Sequence, residues 1–161
     1  MTTPREQPWR DRPDDETPGR VVVLTRNPIA EAIGVIASTA GRDVVVVDED
    51  EDGRGLAAVV ALGLREGDAV VLCDHDAPDA PAVLRLALGS PAAYVAMMAS
   101  RHRSVGLVAE LTDEGAAGLE KLRVPAGLDI GGKAAGEIAL SVVAEIVATA
   151  YGRGGGPMRA T

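Results

Sequence analysis

The sequence predicts an α/β protein, a Rossmann-like three-layer α/β/α sandwich with a mostly parallel sheet of about five strands. Short continuous apolar runs, such as 21–24 and 44–47, are typical of strands buried on both faces of a sheet. Helix-spaced segments alternate with these runs through 20–151, which favours parallel strands covered by helices. Residues 1–19, with prolines among alternating charges, predict a disordered leader, and the glycine-rich residues 152–161 predict a flexible tail.

The first strand–helix–strand unit can be assigned residue by residue. Val21–Leu24 and Val44–Val47 are the buried strands, and a helical pattern of apolar residues lies between them. Asn27 is a good N-cap, Pro28 suits the first helical turn and Gly41 stops the helix. The unit has the length of a right-handed βαβ crossover, so we expect the two strands to be parallel.

The remaining elements continue the alternation. A final long helix is expected to close the fold after a very short fifth strand. In order, we expect a helix at 56–64, a strand at 69–73, a helix at 81–88, a strand at 93–97, a helix at 102–114 with a broken extension to 122, a strand at Val124 and a helix at 134–151.

Composition disfavours several classes of protein. The chain of 161 residues has a formal net charge of −8, whereas nucleic-acid binders and binders of anionic membranes need clustered Lys and Arg. No apolar run approaches the ~18 residues of a transmembrane helix, and the polar start is unlike a signal peptide. The single cysteine, Cys73, excludes an internal disulfide framework and is expected to be a small core residue. These features predict a soluble cytoplasmic protein.

Ligands of open α/β sheets bind at the carboxyl ends of the strands, where the strand order reverses. Four loops of this chain are expected at that edge, namely 25–30, 74–79, 99–103 and 125–133. The candidate binding residues therefore lie in these loops and at the end of the second strand.

The loop after the first strand decides whether a dinucleotide binds in the usual mode. A Rossmann fingerprint needs glycines at three positions, but this chain has Thr25, Asn27 and Ala30 there, and only Ala30 is permitted. Asp48, at the end of the second strand, stands where an acid would bind a ribose. The sequence favours a Rossmann-shaped core that has lost its dinucleotide glycine motif. The acidic residues 48–53 match only the first half of a calcium-loop pattern and predict a solvated turn.

Two further loops carry candidate side chains. The segment Asp74-His75-Asp76 allows two interpretations of His75. One is a functional histidine, acting as a general base, a metal ligand or a hydrogen-bond donor, and the other is a loop histidine paired with a neighbouring aspartate. Only 2 histidines occur in the chain, which is too few for a strong metal-site argument. Ser100–Arg103 is a compact basic cluster at a predicted helix start, suited to a phosphate or to solvent.

The most informative stretch is Pro125–Gly131. Gly127, Gly131 and Gly132 surround Asp129 immediately before a long apolar helix. Glycines let backbone N–H groups approach an anion, and a helix N-terminus adds partial positive charge. This pattern predicts an anion-binding turn.

Residues 20–151 resemble the C-terminal Rossmann-like domain of the XdhC/CoxI family, maturation factors for molybdenum hydroxylases such as xanthine dehydrogenase and carbon monoxide dehydrogenase. The most specific match is to the closing signature "Pro-x-Gly-Leu-Asp-Ile-Gly … Glu-Ile-Ala", found here as Pro125–Gly131 with Glu137–Ser141 and Ala144–Ile146. Weaker matches are Val44–Asp48, Asp74–Asp79, Ser90–Tyr94 and Ser100-Arg101.

The chain also departs from the family pattern. Family glycines are replaced in the first loop by Thr25 and Asn27, and near the fourth strand by Ala96 and Ala99. The connection from 48 to 69 is too short for the strand and helix expected there, so we expect a sheet that is one strand smaller. A charged leader stands where the family's N-terminal domain is expected.

The resemblance implies an accessory protein that helps to mature or insert the molybdenum cofactor of a hydroxylase, through a hydroxylase subunit as partner. It implies molybdopterin or NAD(P) as ligand. The implied cofactor-binding residues are Asp48, His75, Asp79, Ser100, Arg101, Gly127, Asp129 and Gly131. No catalytic residue and no metal ligand are assigned.

Two alternatives stay open. One is a non-catalytic interaction module that binds a partner or forms a homodimer through Ala- and Val-rich helix faces. The other is a small NAD(P)-dependent oxidoreductase, which Asp48 favours and Thr25 and Asn27 oppose. The sequence has no Tyr-x-x-x-Lys pair or other evident hydride-transfer constellation.

Overall fold

The computed structural model describes residues 19–48 and 55–159. These residues form one parallel sheet in the order β2-β1-β3-β4-β5. The strands are β1 (Val21–Leu24), β2 (Val44–Val47), β3 (Ala69–Leu72), β4 (Tyr94–Met97) and β5 (Leu122–Arg123). The helices are α1 (Pro28–Thr39), α2 (Gly55–Leu62), α3 (Ala80–Leu88), α4 (Arg101–Asp113) and α5 (Ala135–Ala150), with a 3-10 turn at Leu119–Lys121.

The sheet separates two apolar layers, because successive strand side chains point to opposite faces. On one face, Val21 and Val23 pack with residues of α1 and α5, among them Ile33 and Val142. On the other face, Val22 and the other alternate strand residues pack against α2, α3 and α4. The predicted Rossmann-like sandwich with a parallel five-stranded sheet is therefore confirmed.

Helix α1 begins as its sequence predicts. The Asn27 side chain accepts a hydrogen bond from Ala30 N at 2.9 Å, and Pro28 occupies the first turn. The helix ends at Thr39 with Ala40 as its C-cap, and Gly41 follows with a φ of 84°, which suits glycine. Local capping chemistry thus fixes both ends of the helix.

The fifth strand differs from its predicted position. It lies at Leu122–Arg123, paired with Val95 and Ala96, and the strand expected at Val124 is wrong by about two residues. Pro125 lies two residues after the strand and has no N–H to continue the ladder. The next link to β4 comes from Ala126 N, which donates to Met97 O at 3.3 Å.

No further strand lies between β2 and β3 among the described residues, as the short connection predicts. The predicted leader, apart from Gly19, and most of the predicted acidic turn lie outside the described residues. Residues 153–159 form neither helix nor strand, and the predicted flexibility of this tail stays a prediction. Gly155 lies against Leu128, since a Cβ there would be 2.7 Å from Leu128 Cδ1.

Asp68 joins the amino ends of β1 and β3. Its buried carboxylate accepts hydrogen bonds from the Arg20 guanidinium at 2.7 Å and from Arg65 N at 2.7 Å. Burial alone would raise the pKa of Asp68, but the hydrogen bonds from Arg20 and Arg65 outweigh burial and lower it. This contact anchors the end of the sheet opposite the candidate site.

None of the helices in the described ranges is both long and apolar enough to cross a membrane.

Candidate functional site

The strand order reverses between β1 and β3, so the loops after these two strands form the switch point of the sheet. Asn27 occupies this point. Its Oδ1 caps α1, and its Nδ2 donates to Cys73 O at 3.1 Å. The side chain therefore takes up the helix N–H group and the space that a dinucleotide pyrophosphate would use in the usual mode.

Asp48 lies at the carboxyl end of β2, as predicted. Its Oδ2 is 3.3 Å from Nε of Arg26, and both side chains are substantially exposed. An exposed pair of this kind contributes little to stability. Asp48 lines neither of the two hollows described below.

His75 follows β3 and is half-buried. Its Nδ1 lies 3.0 Å from Met98 O, so Nδ1 carries the hydrogen, because a carbonyl oxygen only accepts. Its Nε2 lies 3.3 Å from Asp76 Oδ2, and Oδ1 of the same carboxylate accepts from Arg103 at 3.1 Å. His75 is thus oriented by backbone and paired with its neighbour, as one of the sequence alternatives expects.

Asp79 and Ser100 are occupied at helix starts. Asp79 Oδ2 accepts from Leu56 N, in the first turn of α2, at 2.9 Å. Ser100 is the N-cap of α4, where its Oγ accepts from Arg103 N at 3.1 Å. Both predicted binding residues therefore lie near the site but make structural contacts.

A hollow of about 420 Å³ lies at the carboxyl ends of β4 and β5. We call it the signature hollow, and it is lined by Ala99, Arg101 and 125–129. It brings together three predicted residues, Arg101, Gly127 and Asp129. No ion pair of Arg101 or Asp129 occurs among the residues the structure describes, so one cation and one carboxylate face the same space.

Helix α5 holds the turn that forms this hollow. Gly127 has a φ of 103°, and a Cβ there would lie 2.3 Å from Ser141 Oγ. Gly127 N donates to Glu145 Oε1 at 3.1 Å, and Leu128 N donates to Ser141 O at 3.2 Å. With Ala126 N bound to β4, three successive N–H groups of the turn are used by the fold. The anion cradle expected from the glycines is therefore not offered by these three groups.

Glu145 belongs to the stretch that resembles the closing signature, but it was not assigned to the site from sequence. Its Oε1 accepts from both Gly127 N and Tyr94 Oη, the latter at 2.6 Å, and so ties the turn to the start of β4. The pKa of Tyr94 is raised by burial and by this carboxylate. In the sequence, Glu145 stands out as the one charged residue within 138–150, which indicates a buried partner for its carboxylate.

A second hollow of about 340 Å³ lies between α3 and α4, and we call it the α3/α4 hollow. It is lined by His75, Pro81, Leu84, Arg85, Met97, Ala99, Arg103, Gly106, Leu107 and Glu110. The expected single crevice is therefore two spaces that share Ala99, and the structure does not bring His75 together with Asp129. Gly131 lines neither, and its φ of 80° places it in an open turn.

Cys73 is a core residue, as predicted. Burial raises the pKa of its thiol to about 12. No group of three or more His, Cys, Asp or Glu side chains suited to a metal ion occurs in the described ranges.

Residues 21–146 match the family model described as the XdhC Rossmann domain. The chain belongs to the XdhC family. This XdhC-family chain is similar to an uncharacterized protein, YqeB, of Escherichia coli K12, with 27% identity over 157 residues. The match covers 86% of this chain and 29% of YqeB.

The fold of this XdhC-family chain is also that of a crystal structure described as a xanthine dehydrogenase from Bacillus halodurans. The TM-score is 0.70 at 21% identity, and the match covers 84% of this chain and 44% of the other. The chain thus spans less than a third of the curated relative and less than half of the structural neighbour.

Proposed function

We propose that this chain is an XdhC-type accessory protein that binds an anionic cofactor in the signature hollow and helps to mature or insert the molybdenum cofactor of a hydroxylase. The observation that carries the proposal is the placement of Arg101 and Asp129 around one hollow beside the family turn. Membership of the XdhC family supports the same role. We propose a cytoplasmic location and a molybdenum hydroxylase subunit as partner.

Arg101 and Asp129 have complementary tasks in this proposal. A guanidinium binds a phosphate through two parallel N–H groups. A carboxylate accepts hydrogen bonds from amino or ring N–H groups, which a pterin carries. The ligand is therefore a pterin cofactor with its phosphate on Arg101 and its ring donors on Asp129.

Binding of NAD(P) in the usual Rossmann mode is the weaker option. Asn27 fills the switch point, and its side chain already accepts a hydrogen bond from Ala30 N in the first turn of α1. Asp48 is paired with Arg26 at 3.3 Å. A nucleotide would have to use the signature hollow instead.

Calorimetry with the purified chain tests the cofactor. Molybdopterin cofactor, NAD, NADP and mononucleotides are titrated separately, and we expect heat of binding from the pterin. Its affinity should fall at least tenfold in Arg101→Gln and in Asp129→Asn. Arg103→Gln is the matched control, because it removes an arginine two residues along the same helix that does not line this hollow. No heat from any of these compounds would overturn the ligand-binding role.

A non-catalytic interaction module is the second candidate. Helix α4 buries only Ser104 and Leu111, and it leaves Val105 72% and Val108 41% exposed. Light scattering alone and with a hydroxylase subunit tests this role. A strict monomer that binds no subunit would exclude the interaction role. If a complex forms through this face, Val105→Asp should disrupt it.

A further inference from the structure

We propose that the α3/α4 hollow is a second binding site, for a small amphiphilic anion that has an apolar body and one carboxylate. This site is separate from the signature hollow and does not depend on the function proposed above. Its volume of about 340 Å³ lies at the small end of the range for small-molecule sites.

The floor of the hollow is apolar. Leu84 and Met97 are buried in the core beneath it, and Pro81, Ala99 and Leu107 complete the wall. Such a surface favours hydrocarbon because burying apolar area is favourable. The floor therefore selects the body of the ligand.

The charged side chains at the rim differ in how firmly they are held. Arg85 binds Glu114 through two nitrogens, Nη2 to Oε1 at 2.5 Å and Nε to Oε2 at 2.9 Å, and also lies 3.5 Å from Glu110. This forked pair links α3 to α4 and fixes Arg85. Arg85 and Glu114 are consequently committed to each other and to the fold, whereas Glu110 keeps only the long contact with Arg85 and is 63% exposed.

Arg103 is held by a single weaker contact. Its Nη1 donates to Asp76 Oδ1 at 3.1 Å, and the two side chains are 57% and 71% exposed. An exposed ion pair contributes little to stability, so Asp76 can release Arg103 at little cost. The Asp76 carboxylate keeps its contact with His75 when it does so. Arg103 is then the group that binds the carboxylate of the ligand.

Gly106 supplies an independent observation. It lies within α4 and lines the hollow, and a Cβ there would meet nothing within 4 Å. Glycine weakens a helix interior relative to alanine, and here no neighbouring atom requires it. The missing side chain leaves the wall of the hollow open, which suits close approach of a bound molecule.

Octanoate is the probe for the class of ligand. In a titration followed by nuclear magnetic resonance on ¹⁵N-labelled full chain, we expect saturable shifts at the amides of Ala99, Arg103 and Gly106. Octylammonium has the same body and the opposite charge, and should bind at least fivefold more weakly. Equal binding of both compounds, or no saturable shifts at these amides, would overturn the proposal.

Two pairs of variants locate the site. Arg103→Gln should weaken octanoate at least fivefold, whereas Arg101→Gln, which alters the other hollow, should leave it unchanged. Gly106→Ala should raise Tm by a few degrees and still weaken octanoate, because the helix gains an alanine while the hollow narrows.

Gly34→Ala is the control for helix propensity, since its Cβ would meet only Val44 Cγ1 at 3.9 Å and it lies in α1. It should leave octanoate affinity unchanged. Unchanged affinity in both Arg103→Gln and a folded Gly106→Ala would overturn the assignment.

Discussion

The hydroxyl of Tyr94 donates a hydrogen bond of 2.6 Å to the carboxylate of Glu145, across 51 positions of sequence. The same carboxylate oxygen accepts from Gly127 N. One side chain of α5 therefore joins the central sheet to the turn that forms the signature hollow.

Replacing Glu145 with leucine should destabilise the protein by about 2–3 kcal/mol, because the buried Tyr94 hydroxyl and Gly127 N–H lose their acceptor. Tyr94→Phe should cost less, about 1 kcal/mol, since Glu145 keeps its bond to Gly127. Urea unfolding measures both free energies. Equal costs would contradict the double role of Glu145.

Gly127→Ala should be far more damaging than Gly131→Ala. Both glycines have positive φ, but only at Gly127 would the new Cβ meet Ser141 Oγ, at 2.3 Å. We expect about 1 kcal/mol for the backbone term at Gly131 and at least twice that at Gly127. Thermal unfolding of the two variants under identical conditions gives the comparison, and similar losses would show that the turn is not held tightly against α5.

Asp68→Asn should cost about 2–3 kcal/mol at pH 7, because it removes a buried carboxylate from Arg20. The folded-state pKa of Asp68 is lowered, so the unfolded chain takes up the proton first as the pH falls. The stabilisation is therefore complete above the unfolded pKa of about 4 and is lost as the pH falls through the folded value. Unfolding free energies of both proteins should differ by a constant amount from pH 5 to 7 and converge below pH 4. A difference that grows on acidification would show that folding raises the pKa of Asp68 and does not lower it.

Cys73 should resist alkylation in the native protein. With a thiol pKa of about 12, the thiolate is a minute fraction at pH 8, and the sulfur is also buried. Mass spectrometry after iodoacetamide should show labelling only when urea is present. Rapid labelling of the folded chain would indicate that the switch point opens.

Restoring glycine at Thr25 and Asn27 together should raise NAD affinity above that of the parent chain, because the Asn27 side chain no longer fills the switch point. The same change removes the cap of α1 and the bond to Cys73, so a loss of about 1 kcal/mol in stability should accompany it. Calorimetry and urea unfolding provide the two readouts. Lower stability without any gain in affinity would argue that more than these two side chains blocks the dinucleotide.

The order of strands and helices could be predicted from sequence because buried parallel strands are continuous apolar runs, as in Val21–Leu24, and because Asn27 and Gly41 mark helix ends locally. The short edge strand Leu122–Arg123 was misplaced, since two residues with one charge carry no periodic signal. Local chemistry fixes the buried strands and the helix ends, whereas pairing with β4 fixes the position of the edge strand.

The candidate site was only partly predictable for the same reason. Arg101, Gly127 and Asp129 meet because parallel strands deliver their following loops to one edge. The separation of His75 from Asp129, and the role of Glu145 18 positions from Gly127, depend on side-chain packing between distant segments. Sequence spacing does not encode those contacts.

Ala99 lines both hollows. The two hollows therefore share one side chain of their walls, and a ligand that displaces residue 99 toward one space takes volume from the other. By thermodynamic reciprocity, any such effect of one ligand on the affinity of the other is matched by an equal effect in return. The loop after β4 is consequently the segment through which occupancy of one hollow would affect the other.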